Sequence, residues 1–302
     1  MDKINIEEFL KLAKPVLKTR YCMEAGWDGD ALKNVIQDLE VGNDDDYEDG
    51  DITNTVENLI FSDETKPIPV ELQKLAHYTY GIAIEEEDPN KILNYGSLYY
   101  NGRIGVQDFQ KAEKYFLMAD SLAQSDAPDC LGYIYYYGRT GKPDYEKAYK
   151  YFSKSVLLTK SPNAIYKLGD MYRNGYFVTK DYKTAFRCYL QAERALKSYQ
   201  DNDDDEEEDE SSFCIPNEAP NIWFRLGECY QDGIGVEEDF YEALRYYQKA
   251  EVGFMKQVHE GNFMVRKMLD KTINRGNEVR KLLLDDIPEM DWAKEYTGYK
   301  TL

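Results

Sequence analysis

The chain has 302 residues, 42% of them apolar, with 27 Tyr and 12 Phe, so a real core can form and disorder of the whole chain is excluded. The formal charge is −20, and most of it sits in two runs: six carboxylates in Asp44–Asp51 and nine in Asp201–Glu210. Nothing supplies the basic surface that neutralises phosphates, which argues against a nucleic-acid binder and against docking on anionic membranes.

The first residues, Met1–Glu8, are acidic where a secretory signal needs a basic start. No stretch approaches the roughly 18 consecutive apolar residues of a membrane span. Ile6–Tyr21 and Asp30–Leu39 read as helices. The acidic stretch after them is faintly similar to a calcium loop beginning at Asp45. Tyr47 and Val56 fall where the third and twelfth ligands belong, so a solvated acidic loop is the better reading. Ile52–Phe61 and Val70–Glu86 are predicted as a helical pair joined by the loop Ser62–Pro69.

From Asn90 onward the chain repeats itself, and that periodicity decides the fold. Four copies are anchored on Gly96, Gly132, Gly169 and Gly227. Three residues on stands a tyrosine each time: Tyr99, Tyr135, Tyr172 and Tyr230. Six on stands a second glycine: Gly102, Gly138, Gly175 and Gly233. An acid–aromatic pair follows at plus twelve (Asp108, Asp144, Asp181, Asp239), and an alanine at plus sixteen (Ala112, Ala148, Ala185, Ala243). Phe116, Phe152, Tyr189 and Tyr247 occupy plus twenty. Small residues, Ala119, Ser155, Ala192 and Ala250, occupy plus twenty-three.

Each copy is predicted as two antiparallel helices. The small glycine admits close approach of the second helix, and the glycine loop supplies a left-handed turn that ends the first. The Asp caps the second helix, whose alanine, aromatic and small positions share one face. Ser161-Pro162 is a further start signal, a cap followed by proline at the first helical position. The last copy-to-copy step is longer, placing the acidic run in an insertion, 199–218, between repeats. Counting 36 residues back from Ala112, Phe116 and Ala119 reaches Ala76, Tyr80 and Ala83. The expected organisation is therefore a helical cap with an acidic loop over 1–51, a degenerate repeat over 52–89, and four repeats over 90–257. A capping helix and tail follow over 258–302, with an apolar stripe of Val265, Leu269, Ile273, Val279 and Leu283 closed by Pro288. The ends of such an array need caps because each hides an apolar face.

The Leu-Gly-x-x-Tyr-x-x-Gly runs and the Asp-aromatic-x-x-Ala starts resemble the Sel1-like repeat family, an α/α relative of the tetratricopeptide repeats. The resemblance covers Asn90–Gln257 and implies an all-α fold, an α/α superhelical solenoid. The third copy departs in its turn, where Gly175-Tyr176-Phe177-Val178 lacks a second glycine. The resemblance also implies that plus one, plus four and plus five from the repeat glycine line a concave face. Copies one and two place Tyr100, Tyr133, Tyr136 and Tyr137 there, and copy three places Asp170, Arg173 and Asn174. Copy four places Glu228, Gln231 and Asp232. Aromatic side chains are enriched in interface hot spots, so Tyr100, Tyr133, Tyr136, Tyr137, Asp170 and Arg173 are the candidate binding residues. Packing of these tyrosines on the capping region, or simple decoration of the surface, is the plainer alternative.

Catalysis finds little support. The only histidines, His77 and His259, read as solvated or packing residues, and no phosphate loop, nucleophile elbow or metal-ligand spacing appears. Five scattered cysteines suit a reducing, cytoplasmic setting. The expected function is a non-catalytic adaptor or scaffold that binds a protein or peptide, with no cofactor and no metal. The alternative is an acidic immunity or inhibitor-type protein that neutralises a basic partner through its acidic loops, with steep salt dependence.

Overall fold

The computed structural model describes residues 4–42, 49–63, 66–200 and 217–285. Among them are fourteen α-helices and no strands. Both acidic runs, the tail after Asp285 and Pro288 within it lie largely or wholly outside the described residues. The chain forms two compact units, Met1–Tyr151 and Phe152–Leu302.

The first unit begins with α1 (Ile6–Val16), α2 (Arg20–Glu24) and α3 (Trp27–Glu40). The continuous helix expected over Ile6–Tyr21 is thus two. Pro15 removes a backbone donor near the end of α1, and Thr19 then starts a new helix by accepting from the Cys22 N–H at 3.2 Å. Next come α4 (Asp49–Phe61) and α5 (Val70–Glu85). Because α4 is already helical from Asp49, the twelve residues from Asp45 are no single loop that could wrap a calcium ion. Tyr21 and Arg103 both donate to the Ile60 carbonyl, closing the end of α4.

The repeat pairs follow: α6 (Pro89–Asn101) with α7 (Phe109–Ser121), then α8 (Ala127–Tyr137) and α9 (Tyr145–Thr159), within which the first unit ends. The second unit holds the rest of α9, then α10 (Pro162–Asn174), α11 (Tyr182–Gln200), α12 (Ala219–Asp232), α13 (Phe240–His259) and α14 (Arg266–Asp285). A short 3-10 turn, Phe263–Val265, precedes α14, so Val265 lies outside that helix. Val279 is buried against α12 and α13, with Leu269 and Leu283 packed beside it.

The register explains why these pairs pack. The alanines at plus sixteen have no exposed surface, and neither do Ala119, Ser155, Ala192 and Ala250 at plus twenty-three. The aromatic at plus twenty lies across the repeat glycine. A Cβ built on Gly96 would stand 2.7 Å from the Phe116 ring, and one on Gly169 or Gly227 would stand 2.7 Å from Tyr189 or Tyr247. Gly102, Gly138, Gly175 and Gly233 all take left-handed conformations that end their helices. Asp108, Asp144, Asp181 and Asp239 each accept a backbone N–H in the first turn of the second helix, at 2.9–3.1 Å. In the third copy Phe177 stands where the fourth has Gly235, and it adopts φ 65° without being glycine.

Candidate functional site

In the first unit α6, α7 and α8 line an open-sided pocket of about 290 Å³, formed by Ser97, Tyr100, Asn101, Phe116, Cys130 and Tyr133. Its construction follows from the repeat. Plus one, four and five of copy one supply Ser97, Tyr100 and Asn101. Minus two and plus one of copy two supply Cys130 and Tyr133. Phe116, buried on Gly96, is the floor. Tyr100 is held edge-on against Phe109 at 5.2 Å between ring centroids. Tyr133 stacks on Tyr137 at 6.0 Å and 18°. Tyr136 meets Tyr137 and Tyr145 edge-on at 5.0 and 5.8 Å. The Arg139 guanidinium lies over both Phe109 and Tyr137, at 5.3 and 5.1 Å. Such contacts fix the rings before anything binds, lowering the entropy lost on association.

The pocket offers shape and apolar surface more than chemistry. Burial and the neighbouring Asp129 and Asp126 carboxylates push the Cys130 thiol up to about 12, so it stays a neutral thiol. A second cavity of about 220 Å³ is lined by His77, Tyr99, Ile104, Val106, Gln107, Asp108 and Lys111. His77 Nδ1 pairs with the Tyr95 hydroxyl at 2.6 Å. Partial burial and the Lys111 cation hold the imidazole below its usual value. Among the described residues, no three His, Cys, Asp or Glu side chains are grouped to hold a metal ion, and no helix is long and apolar enough to cross a membrane.

The structure thus brings Tyr100 and Tyr133 to one pocket and sets Tyr136 and Tyr137 beside it on α8. Asp170 and Arg173, expected on an open face, are placed differently. Asp170 is buried and accepts from Arg225 Nε at 2.7 Å and from the Tyr189 hydroxyl at 2.9 Å, with Lys167 Nζ 3.7 Å away. Arg173 Nη1 donates to Glu228 at 2.7 Å, and Glu228, also buried, takes Arg225 Nη1 at 2.9 Å and Lys271 Nζ at 3.1 Å. Burial alone would raise both carboxyls. The cations of Arg225 and Lys167 at Asp170, and of Arg225, Arg173 and Lys271 at Glu228, outweigh it and hold both below their ordinary values.

This network occupies the register positions that line the pocket in the first unit. The difference lies at minus two, which is Asn94 and Cys130 in copies one and two but Lys167 and Arg225 in copies three and four. A basic residue there fills the space between first helices and pulls the plus-one acid inward. Sequence reasoning counted only plus one, four and five, and so missed Arg225, Cys130 and Phe116. The charge change at minus two was the available signal.

The family model for the Sel1 repeat matches residues 92–119, 131–158, 162–195 and 224–251. The chain carries four Sel1 repeats. Solved structures agree on the fold. A Sel1 repeat protein from Oxalobacter formigenes superposes with a TM-score of 0.50 at 17% identity, over 72% of this chain and 78% of that one. A protective antigen present in uropathogenic Escherichia coli strains, which displays an SLR fold, gives 0.54 at 18% identity over 90% of this chain. This chain spans about half (52%) of that antigen's length. No curated protein matches the sequence. Sel1 repeats generally mediate protein–protein interaction and are generally non-catalytic.

Proposed function

We propose that this protein is a non-catalytic cytoplasmic adaptor that binds a protein or peptide on the first-helix face of its repeats. In this reading the Tyr100–Tyr133 pocket takes one apolar anchor side chain of the partner. The pocket itself carries the reading. At about 290 Å³ it falls just below the roughly 300–1,000 Å³ of small-molecule sites and suits one large side chain. Its walls are amphipathic tyrosines already fixed by ring contacts, the residue type that dominates interface energetics. Residues 52–89 would form a degenerate fifth repeat, with helices on either side closing the ends of the array. Four free cysteines among the described residues suit a reducing compartment.

The test is affinity capture from native lysate with the wild type, a Tyr100→Ala/Tyr133→Ala double variant, and a chain lacking Asp201–Glu210. A partner held by the wild type and the loop deletion but lost by the double variant is the expected result. The reverse pattern, with binding that weakens steeply as salt rises, would replace this reading with the acidic neutraliser.

A further inference from the structure

We infer that Arg139 makes the Tyr100–Tyr133 pocket selective for a peptide whose large apolar side chain lies within about three residues of an Asp or Glu. The inference rests on the reading of that pocket as an anchor site. Arg139 and Arg103 share one register, seven residues after Gly132 and Gly96, but their guanidinium groups are used differently. Arg103 Nη2 donates to the Ile60 and Asp63 carbonyls, so the end of α4 supplies its acceptors. Arg139 lies over Phe109 and Tyr137 with no hydrogen-bond acceptor and no ion pair among the described residues. In a chain with 57 Asp and Glu against 37 Lys and Arg, an arginine that meets none of them is open to a carboxylate from outside.

The rings that build the pocket also fix this guanidinium. Phe109 meets Tyr100 edge-on at 5.2 Å and Tyr137 stacks on Tyr133 at 6.0 Å, so each wall ring touches one of the two rings beneath Arg139. Arg139 therefore stands at most about 11 Å from either wall, or three residues of extended chain at about 3.3 Å each. Rings take the faces of a guanidinium and leave its in-plane N–H fork for a carboxylate, which it fits bidentately. The surrounding charge agrees. Near the starts of α7 and α9, Asp108 pairs with Lys111, Asp144 with Lys147 and Glu146 with Lys150. Glu113 accepts from the Tyr135 hydroxyl and is offset in charge by Lys114. Arg139 and Lys142, on the turn between α8 and α9, remain as the local positive excess. Asp126 and Asp129 lie at the other end of α8, about 15–20 Å off at 1.5 Å per residue and beyond the screening length of about 8 Å. Their carboxylates act on Cys130 instead, so the pocket has an acidic and a basic end. A bound segment is thereby oriented with its own carboxylate toward Arg139.

The experiment selects binders of the full chain from a displayed library of random dodecapeptides, then measures labelled selected peptides by fluorescence anisotropy. We expect an aromatic or long aliphatic residue to be enriched together with an Asp or Glu within three positions of it. Replacing that acid by Gln in a selected peptide should weaken binding at least about fivefold, and so should Arg139→Gln. The acid peptide and its Gln counterpart should bind Arg139→Gln alike, whereas an arginine that only steadied Phe109 and Tyr137 would weaken both peptides equally when replaced. Lys150→Gln, the same charge change on a residue paired with Glu146, should bind like the wild type. The peptide substitution needs no protein variant, so the test stays decisive if Arg139→Gln loses stability. An anchor enriched without a neighbouring acid, equal weakening of both peptides, or an equal loss in Lys150→Gln would overturn the inference and leave the pocket reading standing. No enrichment at all, or selected peptides that bind the Tyr100→Ala/Tyr133→Ala variant as tightly as the wild type, would overturn both.

Discussion

Gly227→Ala isolates the interaction that sets the distance between the two helices of a repeat. A Cβ at Gly227 would lie 2.7 Å from Tyr247 Cε1, 2.8 Å from Cδ1 and 3.1 Å from Cζ. Carbon atoms in contact prefer about 3.5–4.0 Å, so the ring would have to retreat by nearly 1 Å. It has little room to do so. Tyr247 is almost wholly buried, packs on Phe224 at 5.8 Å and donates its hydroxyl to Gln231 Oε1 at 2.8 Å. Overpacking of this kind costs about 1–3 kcal/mol. Alanine in a helix interior returns about 1 kcal/mol relative to glycine, leaving a net loss of roughly 0–2 kcal/mol.

Gly276→Ala removes that ambiguity. Gly276 is interior to α14 and faces the same tyrosine, but its Cβ would meet Tyr247 Cβ at an ordinary 3.6 Å. The propensity gain is common to both variants, so their difference reports the overpacking alone, about 1–3 kcal/mol. Urea unfolding followed by far-UV circular dichroism measures both. If Gly227→Ala proves as stable as Gly276→Ala, the glycine is not there to seat the ring and the packing argument fails.

Three further outcomes are expected. Phe177→Gly should raise stability by up to about 1 kcal/mol in thermal melts, since left-handed backbone costs a non-glycine residue about 1–2 kcal/mol and glycine gives part of that back as chain entropy. A fall in melting temperature would mean that the contacts of the Phe177 ring outweigh the backbone strain. Arg225→Met should cost about 3–5 kcal/mol, because it leaves buried Asp170 with the Tyr189 hydroxyl at 2.9 Å but no cation closer than Lys167 at 3.7 Å, and a loss under 1 kcal/mol would show the network to be dispensable. The depressed carboxyls of Asp170 and Glu228 make a pH prediction with a definite sign. Their stabilisation is fully present above their ordinary values of 3.8 and 4.5 and is lost as pH falls through the lower folded values. Acid titration of unfolding free energy should therefore fall below about pH 4.5 in the wild type and less steeply in a Glu228→Gln variant.

The repeat and its helical pairs are legible in residue types and their spacing alone. Each copy must present a small residue where an aromatic crosses it, an αL residue where the first helix ends, and a carboxylate where the second begins. Those are local demands on residue type at fixed spacing, so Gly96, Gly102, Asp108, Ala112 and Phe116 announce themselves without a structure. Tertiary structure decided what lies between adjacent copies. At the same register, Cys130 and Tyr133 leave a pocket beside Tyr100, while Arg225 and Glu228 close the space around Asp170 and Arg173. Whether an inter-copy position is open or filled depends on a partner 33 to 55 residues away. Helical periodicity assigns a side chain to a face but says nothing of the side chain that meets it there. For that reason Asp170, read from its spacing as an exposed contact, is a buried acid held by a neighbouring copy's arginine.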